Sequence, residues 1–165
     1  MQEARAVNRF DWEWPAITAT RMDGAERITI DEVVAFSDGG CWPNPGEASI
    51  AAIVLDTDGK ELLRRAASIG QGTNNIAEYR AIRLGLELCL ELGARRVRFY
   101  SDSTLAINGI TKNSRHLKKP LLCALRDAIR DELLPLFESV TFEHVPREHP
   151  WISEADAMAS EVRRR

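Results

Sequence analysis

Apolar positions cluster in short runs and in helical stripes that divide the chain into alternating segments. Val33-Val34-Ala35-Phe36 is an apolar run, preceded by the weakly alternating Ile28-Thr29-Ile30. It ends at Asp38-Gly39-Gly40 and the loop Cys41-Trp42-Pro43-Asn44-Pro45-Gly46. Residues 48–55 form a second run of strand length, closed by the turn Asp56-Thr57-Asp58-Gly59, and residues 61–69 supply its hairpin partner. The economical reading is three consecutive antiparallel strands. The period then changes. Thr73-Asn74-Asn75 offers N-capping side chains, Glu78 falls in the first turn, and Gly93 suits the C-cap. Between them Ile82, Gly85, Leu86 and Cys89 line one helix face.

Val97-Arg98-Phe99-Tyr100 reads as a fourth strand, ending at Ser101-Asp102-Ser103, and a short helix runs through Leu105-Ala106-Ile107. After the basic segment at 112–119, Pro120 suits a first helical position, with Leu121, Leu125, Ile129 and Leu133 as its buried stripe. Val140-Thr141-Phe142-Glu143-His144-Val145 is the fifth strand, and a last helix starts near Ser153. The order βββαβααβα predicts an α/β fold, a mixed sheet with helices on its faces and right-handed crossovers that make the later strand pairs parallel. Residues 1–27 have weak periodicity and are too few for a core of their own, so they read as an extension of a domain at 28–165.

Composition narrows the class. With 44% hydrophobic and 28% charged residues, the 165-residue chain is neither collagenous, low-complexity nor wholly disordered. No apolar run approaches the roughly 18 residues of a membrane span, and residues 1–7 lack the profile of a secretory signal. The expectation is a cytoplasmic protein with no membrane partner, its Cys41, Cys89 and Cys123 reduced. Monomer is the default. The net charge of −3 argues at first against a nucleic-acid partner, but residues 1–32 carry all of it and the remainder balances at 18 acids and 18 bases. Metal bound by some of those acids would leave the working surface net positive.

The acids are where chemistry is suggested. Asp38 and Asp102 each close an apolar strand. If those strands are parallel neighbours, both carboxylates stand in the crevice beyond the strand ends, where ligands bind in open α/β sheets. Strand-terminal aspartates that merely start turns are the bland alternative. Glu78 lies one turn before Ile82 on the core side of its helix, and Asp156 lies early in the last helix. For these two the helix dipole alone is an alternative account. Four convergent carboxylates without basic partners would repel one another, and hard divalent cations such as Mg²⁺ or Mn²⁺ remove that penalty. Two such ions about 4 Å apart can activate water and stabilise a leaving oxygen in phosphodiester cleavage.

In these segments the chain resembles ribonuclease H, type I. The resemblance is carried by Ser37-Asp38-Gly39-Gly40-Cys41-Trp42-Pro43-Asn44-Pro45-Gly46, Thr73-Asn74-Asn75-Ile76-Ala77-Glu78, Tyr100-Ser101-Asp102-Ser103, and Arg147-Glu148 followed by Ala155-Asp156. It spans residues 33–164 in the family's order. It implies a ribonuclease H-like mixed five-stranded sheet with helices on both faces. It further implies an endoribonuclease that cuts the RNA strand of an RNA–DNA hybrid with two Mg²⁺ (Mn²⁺ as a substitute) and no small-molecule cofactor. The products implied carry 5′-phosphate and 3′-hydroxyl ends. Asp38, Glu78, Asp102 and Asp156 match the metal-binding quartet, and Asn44, Thr73, Asn74 and Asn75 match positions that hold the hybrid's backbone.

Departures from the family pattern bear on the rest. The interval that carries a basic handle in many members is short, as in the archaeal and related bacterial branch, which leaves Lys112, Arg115, His116, Lys118 and Lys119 to hold the DNA strand or to form a solvated loop. The loop before Asp156 is about two residues longer than the family's, so Arg147 matches by motif while His149 is the alternative by chemistry. Arg163-Arg164-Arg165 reads as a frayed basic tail, and Trp42 and Trp151 as partly buried loop plugs. Two other readings stand beside hybrid cleavage: another metal-dependent nuclease of this fold, and a catalytically silent nucleic-acid-binding module.

Overall fold

A computed structural model describes residues 30–112 and 118–164; the proposed extension at 1–27 and the basic residues Arg115 and His116 lie outside them. The run at Val33 opens a strand much longer than its apolar residues: β1 spans Glu32–Trp42. It continues through Asp38, Gly39 and Gly40 because β2 (Gly46–Leu55) pairs with it antiparallel from Val34↔Leu55 to Trp42↔Glu47. Ladder hydrogen bonds come from backbone, so polar and glycine positions need not end the strand. β3 (Glu61–Gly72) completes the antiparallel trio. After helix α1 (Asn74–Glu91), β4 (Arg96–Ser101) adds parallel to β1, and β5 (Ser139–His144) adds parallel to β4. The sheet order is β3-β2-β1-β4-β5, the mixed five-stranded arrangement that the element order predicted.

β1 is central and its alternation serves two layers. Val33 and Ala35 join the larger core with α1, while Val34 and Phe36 join the smaller core under α4 (Pro150–Arg164). Helices α2 (Thr104–Thr111) and α3 (Pro120–Ala128) fill out the α1 side. α1 approaches the sheet closely at two glycines. A Cβ on Gly85 would sit 2.6 Å from the Phe99 ring, and one on Gly39 would sit 2.3 Å from the Ala77 carbonyl oxygen.

Several boundaries differ from the sequence reading. α3 buries Leu122, Leu125, Ile129 and Leu133, whereas Leu121 is 52% exposed; the stripe is the 3-4-4 spacing that starts one residue later. Past Ala128 this helix passes into a π turn, Ile129–Leu133. α4 begins at Pro150, not Ser153, because His149 caps it: the His149 carbonyl accepts from Ser153 N and its Nδ1 accepts from Trp151 N at 3.1 Å. Ser153 lies inside the first turn, and its hydroxyl donates to Arg147 O.

Candidate active site

Parallel pairing of β1 and β4 is registered to Phe36↔Tyr100. Two steps on, Asp38 and Asp102 stand side by side, Asp38 within β1 and Asp102 just past the end of β4. Asp102 is held in a tight local turn. Ser103 N donates to Ser101 Oγ at 3.0 Å, and Ser103 Oγ caps α2 by accepting from Ala106 N at 3.1 Å. Glu78 arrives from the opposite layer. It lies in the second turn of α1, since Thr73 is the N-cap and Asn74 the first helical residue. The first-turn dipole therefore does not account for it. The close approach at Gly39 brings this turn against β1, and the Gly39 N–H donates to the Glu78 carboxylate.

Asp38, Glu78 and Asp102 each offer an oxygen within 4.8 Å of the other two, the one such group of possible metal ligands among the described residues. Asp156 stands outside that group, on α4, where its carboxyl meets Asp38 but not Glu78. It is the seventh residue of that helix, beyond the first turn, and is solvent-exposed. Burial, reinforced by the charges of Asp102 and Asp156, pushes the Asp38 carboxyl up to about 8. Burial, then the charges of Asp38 and Asp102, holds Glu78 well above the usual carboxylate range. The Arg147 guanidinium, on the loop before α4, acts in the opposite direction on both.

A divalent ion fits this donor set. All the donors are carboxylate oxygens, suited to a hard cation and poorly to a soft one. Moreover Glu78 Oε1 and Asp102 Oδ1 are buried with no hydrogen-bond partner, a state whose desolvation cost a bound cation would offset.

Beside the acids, the β1–β2 turn and the start of α1 are tied together. Cys41 N donates to Asn74 Oδ1 at 3.0 Å, and Asn74 N donates to Asn44 Oδ1 at 3.3 Å. The Cys41 thiol lies 3.4 Å from both carboxamide oxygens. With those oxygens used inside, Asn44 and Asn74 retain their amide NH₂ donors. Thr73 Oγ1 accepts from Ile76 N, and Asn75 is exposed on the same turn. Lys118 and Lys119 are exposed at the start of α3. The His149 ring packs on Phe36 at 4.9 Å while its Nδ1 serves the α4 cap.

Two readings are corrected. Trp42 is no loop plug: it is 79% exposed, because β1 carries it past the core to the sheet's end, whereas Trp151 packs near Phe36 as expected. Arg163 is not frayed. It reaches back to Gly40 and Ser49, a contact whose only signal in the sequence is its seven-residue spacing from Asp156.

This arrangement has counterparts. A family described as reverse transcriptase-like matches residues 36–162. A bifunctional protein of Mycobacterium tuberculosis is 34% identical over 117 residues, 70% of this chain but 32% of that protein, so the chain spans about a third of the length of the first curated relatives it matches. Ribonuclease HI of Halobacterium salinarum is 33% identical over 130 residues, covering 79% of this chain and 63% of that protein. The crystal structure of the RNase H1 from that archaeon is similar with a TM-score of 0.76 at 32% identity, over 81% of this chain and 98% of that one. The structure of LC11-RNase H1 in complex with an RNA/DNA hybrid is similar with a TM-score of 0.71 at 29% identity, over 78% of this chain and 94% of that one. The chain belongs to the reverse transcriptase-like family, and within it to the ribonuclease H type I group.

Proposed function

We propose that this protein hydrolyses the RNA strand of RNA–DNA hybrids with two divalent ions, Mg²⁺ or Mn²⁺, leaving 5′-phosphate and 3′-hydroxyl ends. The observation that carries the reading is the convergence of Asp38, Glu78 and Asp102, with Asp156 beside Asp38 and two of the acids holding buried, unpartnered oxygens. A module that only bound nucleic acid would gain nothing from negative charge gathered beside phosphate.

Asp38, Glu78, Asp102 and Asp156 would hold the ions. When bound, such ions activate a water for attack on phosphorus and stabilise the departing oxygen. The chain's own part is placement. The buried Asp38 and the half-buried Glu78 and Asp102 would fix the reacting phosphate's surroundings. Arg147 supplies a positive charge at the rim, where it offsets the acids and suits a phosphate oxygen. His149, engaged at Nδ1, has its Nε2 left for proton transfer.

Asn44, Thr73, Asn74 and Asn75 form a neutral donor surface at the mouth, appropriate for backbone phosphates and for the 2′-hydroxyl by which RNA differs from DNA. Trp42 stands exposed beside Asn44, where its ring can stack on a sugar or base. Lys118 and Lys119, exposed at the start of α3, would meet the DNA strand, with a contribution that weakens with salt. The RNA/DNA hybrid held by the LC11 enzyme supports the choice of substrate.

Cleavage of a labelled hybrid in Mg²⁺ or Mn²⁺, with single-stranded RNA and duplex DNA as controls, tests the reading. Asp102→Asn should abolish cleavage while keeping the circular-dichroism spectrum and melting curve. Equal cutting of duplex DNA would overturn the substrate assignment, and a near-normal rate in Asp102→Asn the metal assignment.

A further inference from the structure

Asp156 and Arg163 lie seven residues apart on α4, about two helical turns, so their side chains leave the same face of the helix. Both reach β1. Asp156 meets Asp38, and Arg163 meets the strand two residues further on. Arg163 Nη1 donates to Gly40 O at 3.2 Å and to Ser49 Oγ at 2.7 Å, and Nη2 donates to Ser160 Oγ at 3.1 Å. Gly40 and Ser49 face each other in the β1–β2 ladder, so one guanidinium nitrogen bridges two strands at a single rung. Ser49 is fully buried, and its hydroxyl donates to Ala159 O at 2.7 Å, which makes a second polar tie to the same stretch of α4.

Beyond Asp156 the apolar contacts of α4 with the smaller core are the buried Ala159 methyl and the half-buried Met158, and neither is directional. Charge-assisted hydrogen bonds from a planar guanidinium fix this end of the helix directionally.

We propose that Arg163 is a positioning residue for the metal site: its bridge to Gly40 and Ser49 holds α4 at the spacing where Asp156 reaches Asp38, and so sets the affinity for the divalent ion those two acids share. The inference rests on the carboxylate assignment above and adds a residue that does not touch the ion.

The test is Mn²⁺ binding to the full chain, followed by loss of the free-ion electron paramagnetic resonance signal, together with the metal dependence of hybrid cleavage. Arg163→Met keeps the aliphatic stem and should weaken Mn²⁺ binding about tenfold, with the KM for hybrid at saturating metal changed less than about twofold. Arg163→Lys, which retains the charge and one donor, should recover part of the loss. In an Asp156→Ala background, itself weakened in metal binding, Arg163→Met should add nothing, because the effect passes through Asp156. Unchanged Mn²⁺ affinity in a folded Arg163→Met protein overturns the inference. So does an additive effect in the double variant, or a raised hybrid KM without a metal effect. If Asp156→Ala alone leaves Mn²⁺ affinity intact, the carboxylate assignment is what fails. Should Arg163→Met not fold, Ser49→Ala interrupts the same bridge and is expected to weaken Mn²⁺ about threefold, and no change there overturns the proposal.

Discussion

α1 and α4 each bring a carboxylate to Asp38 from opposite layers of the sheet, but they are held there by different means. α1 lies so close to β1 that no Cβ fits at Gly39, and its inner face is filled by large buried side chains such as Tyr79, Ile82 and Leu86. Glu78 is fixed by this packing, half-buried with its Oε1 out of reach of solvent, and bonded to the Gly39 N–H. α4 stands further off. It buries Ile152, Ala155 and Ala159, and its far end is tied by the polar contacts of Ser49 and Arg163. One acid is set by dense packing, which resists displacement. The other is an exposed side chain on a helix held by a smaller apolar cluster and by the polar ties of Ser49 and Arg163. The site thus combines a rigid wall and an adjustable one.

The largest expected contrast is in activity. Glu78→Gln, inside the rigid wall, should cut hybrid cleavage at saturating Mg²⁺ by about 10³-fold or more, the scale of several kcal/mol of lost charge stabilisation. Asp156→Ala should lose markedly less at saturating metal, since added Mg²⁺ can compensate a weakened exposed ligand. Equal losses would erase the distinction between the walls.

Next comes the spacing itself. Gly39→Ala places a methyl 2.3 Å from Ala77 O, whereas Gly40→Ala meets Arg163 Nη1 and Asn74 Oδ1 at an ordinary 3.7 Å. The first should cost about 3 kcal/mol in denaturant unfolding and the second less than about 1 kcal/mol. A reversed order would mean that α4, not α1, is the tight partner.

Protons sharpen the comparison further. Without metal, the folded protein holds the Asp38 proton up to about pH 8, against an ordinary value of 3.8. Folding therefore favours the protonated form: the associated stability is full below about pH 4 and is lost as pH rises through about 8. Melting of metal-free protein should fall across that window, and Mg²⁺ should restore it at the alkaline end. Asp38→Asn should flatten the dependence and gain roughly 2 kcal/mol at pH 9, a value kept modest because the open side of the site and Arg147 screen the repulsion. A pH-independent melt in the parent protein would contradict this. The smallest effect belongs to the outer edge of α4, where the exposed Arg64–Glu154 pair at 2.9 Å links it to β3. Glu154→Gln should change the unfolding free energy by no more than about 0.5 kcal/mol.

Much of this architecture is legible along the chain. The aspartates after the Val33 and Val97 runs come to lie together because the crossover from β3 through α1 sets β4 down parallel beside β1; element order implies the parallel crossover, and the sheet order makes the two strands neighbours. The Thr73 cap was readable from its side chain, and Gly93, with φ of +77°, from its place after the helix. Other features were not readable in this way. Neither Leu121 nor Leu122 is marked out by type as the buried one; contact of α3 with the core selects the phase. His149 is an uncommon cap, so the helix appeared to begin at Ser153, and β1 outran its apolar residues because its partner strand supplied the hydrogen bonds.

By itself the sequence determined the element order, the mixed sheet and the aspartates at the ends of two of its strands, because periodicity, capping and turn chemistry act over short spans of chain. Tertiary structure decided how tightly each helix grips the central strand, and with it the shielding of Glu78 Oε1, the exposure of Trp42 and the docking of Arg163. Those outcomes depend on distances between backbones far apart in sequence: one missing Cβ at Gly39 on one face, and one guanidinium bridging Gly40 and Ser49 on the other.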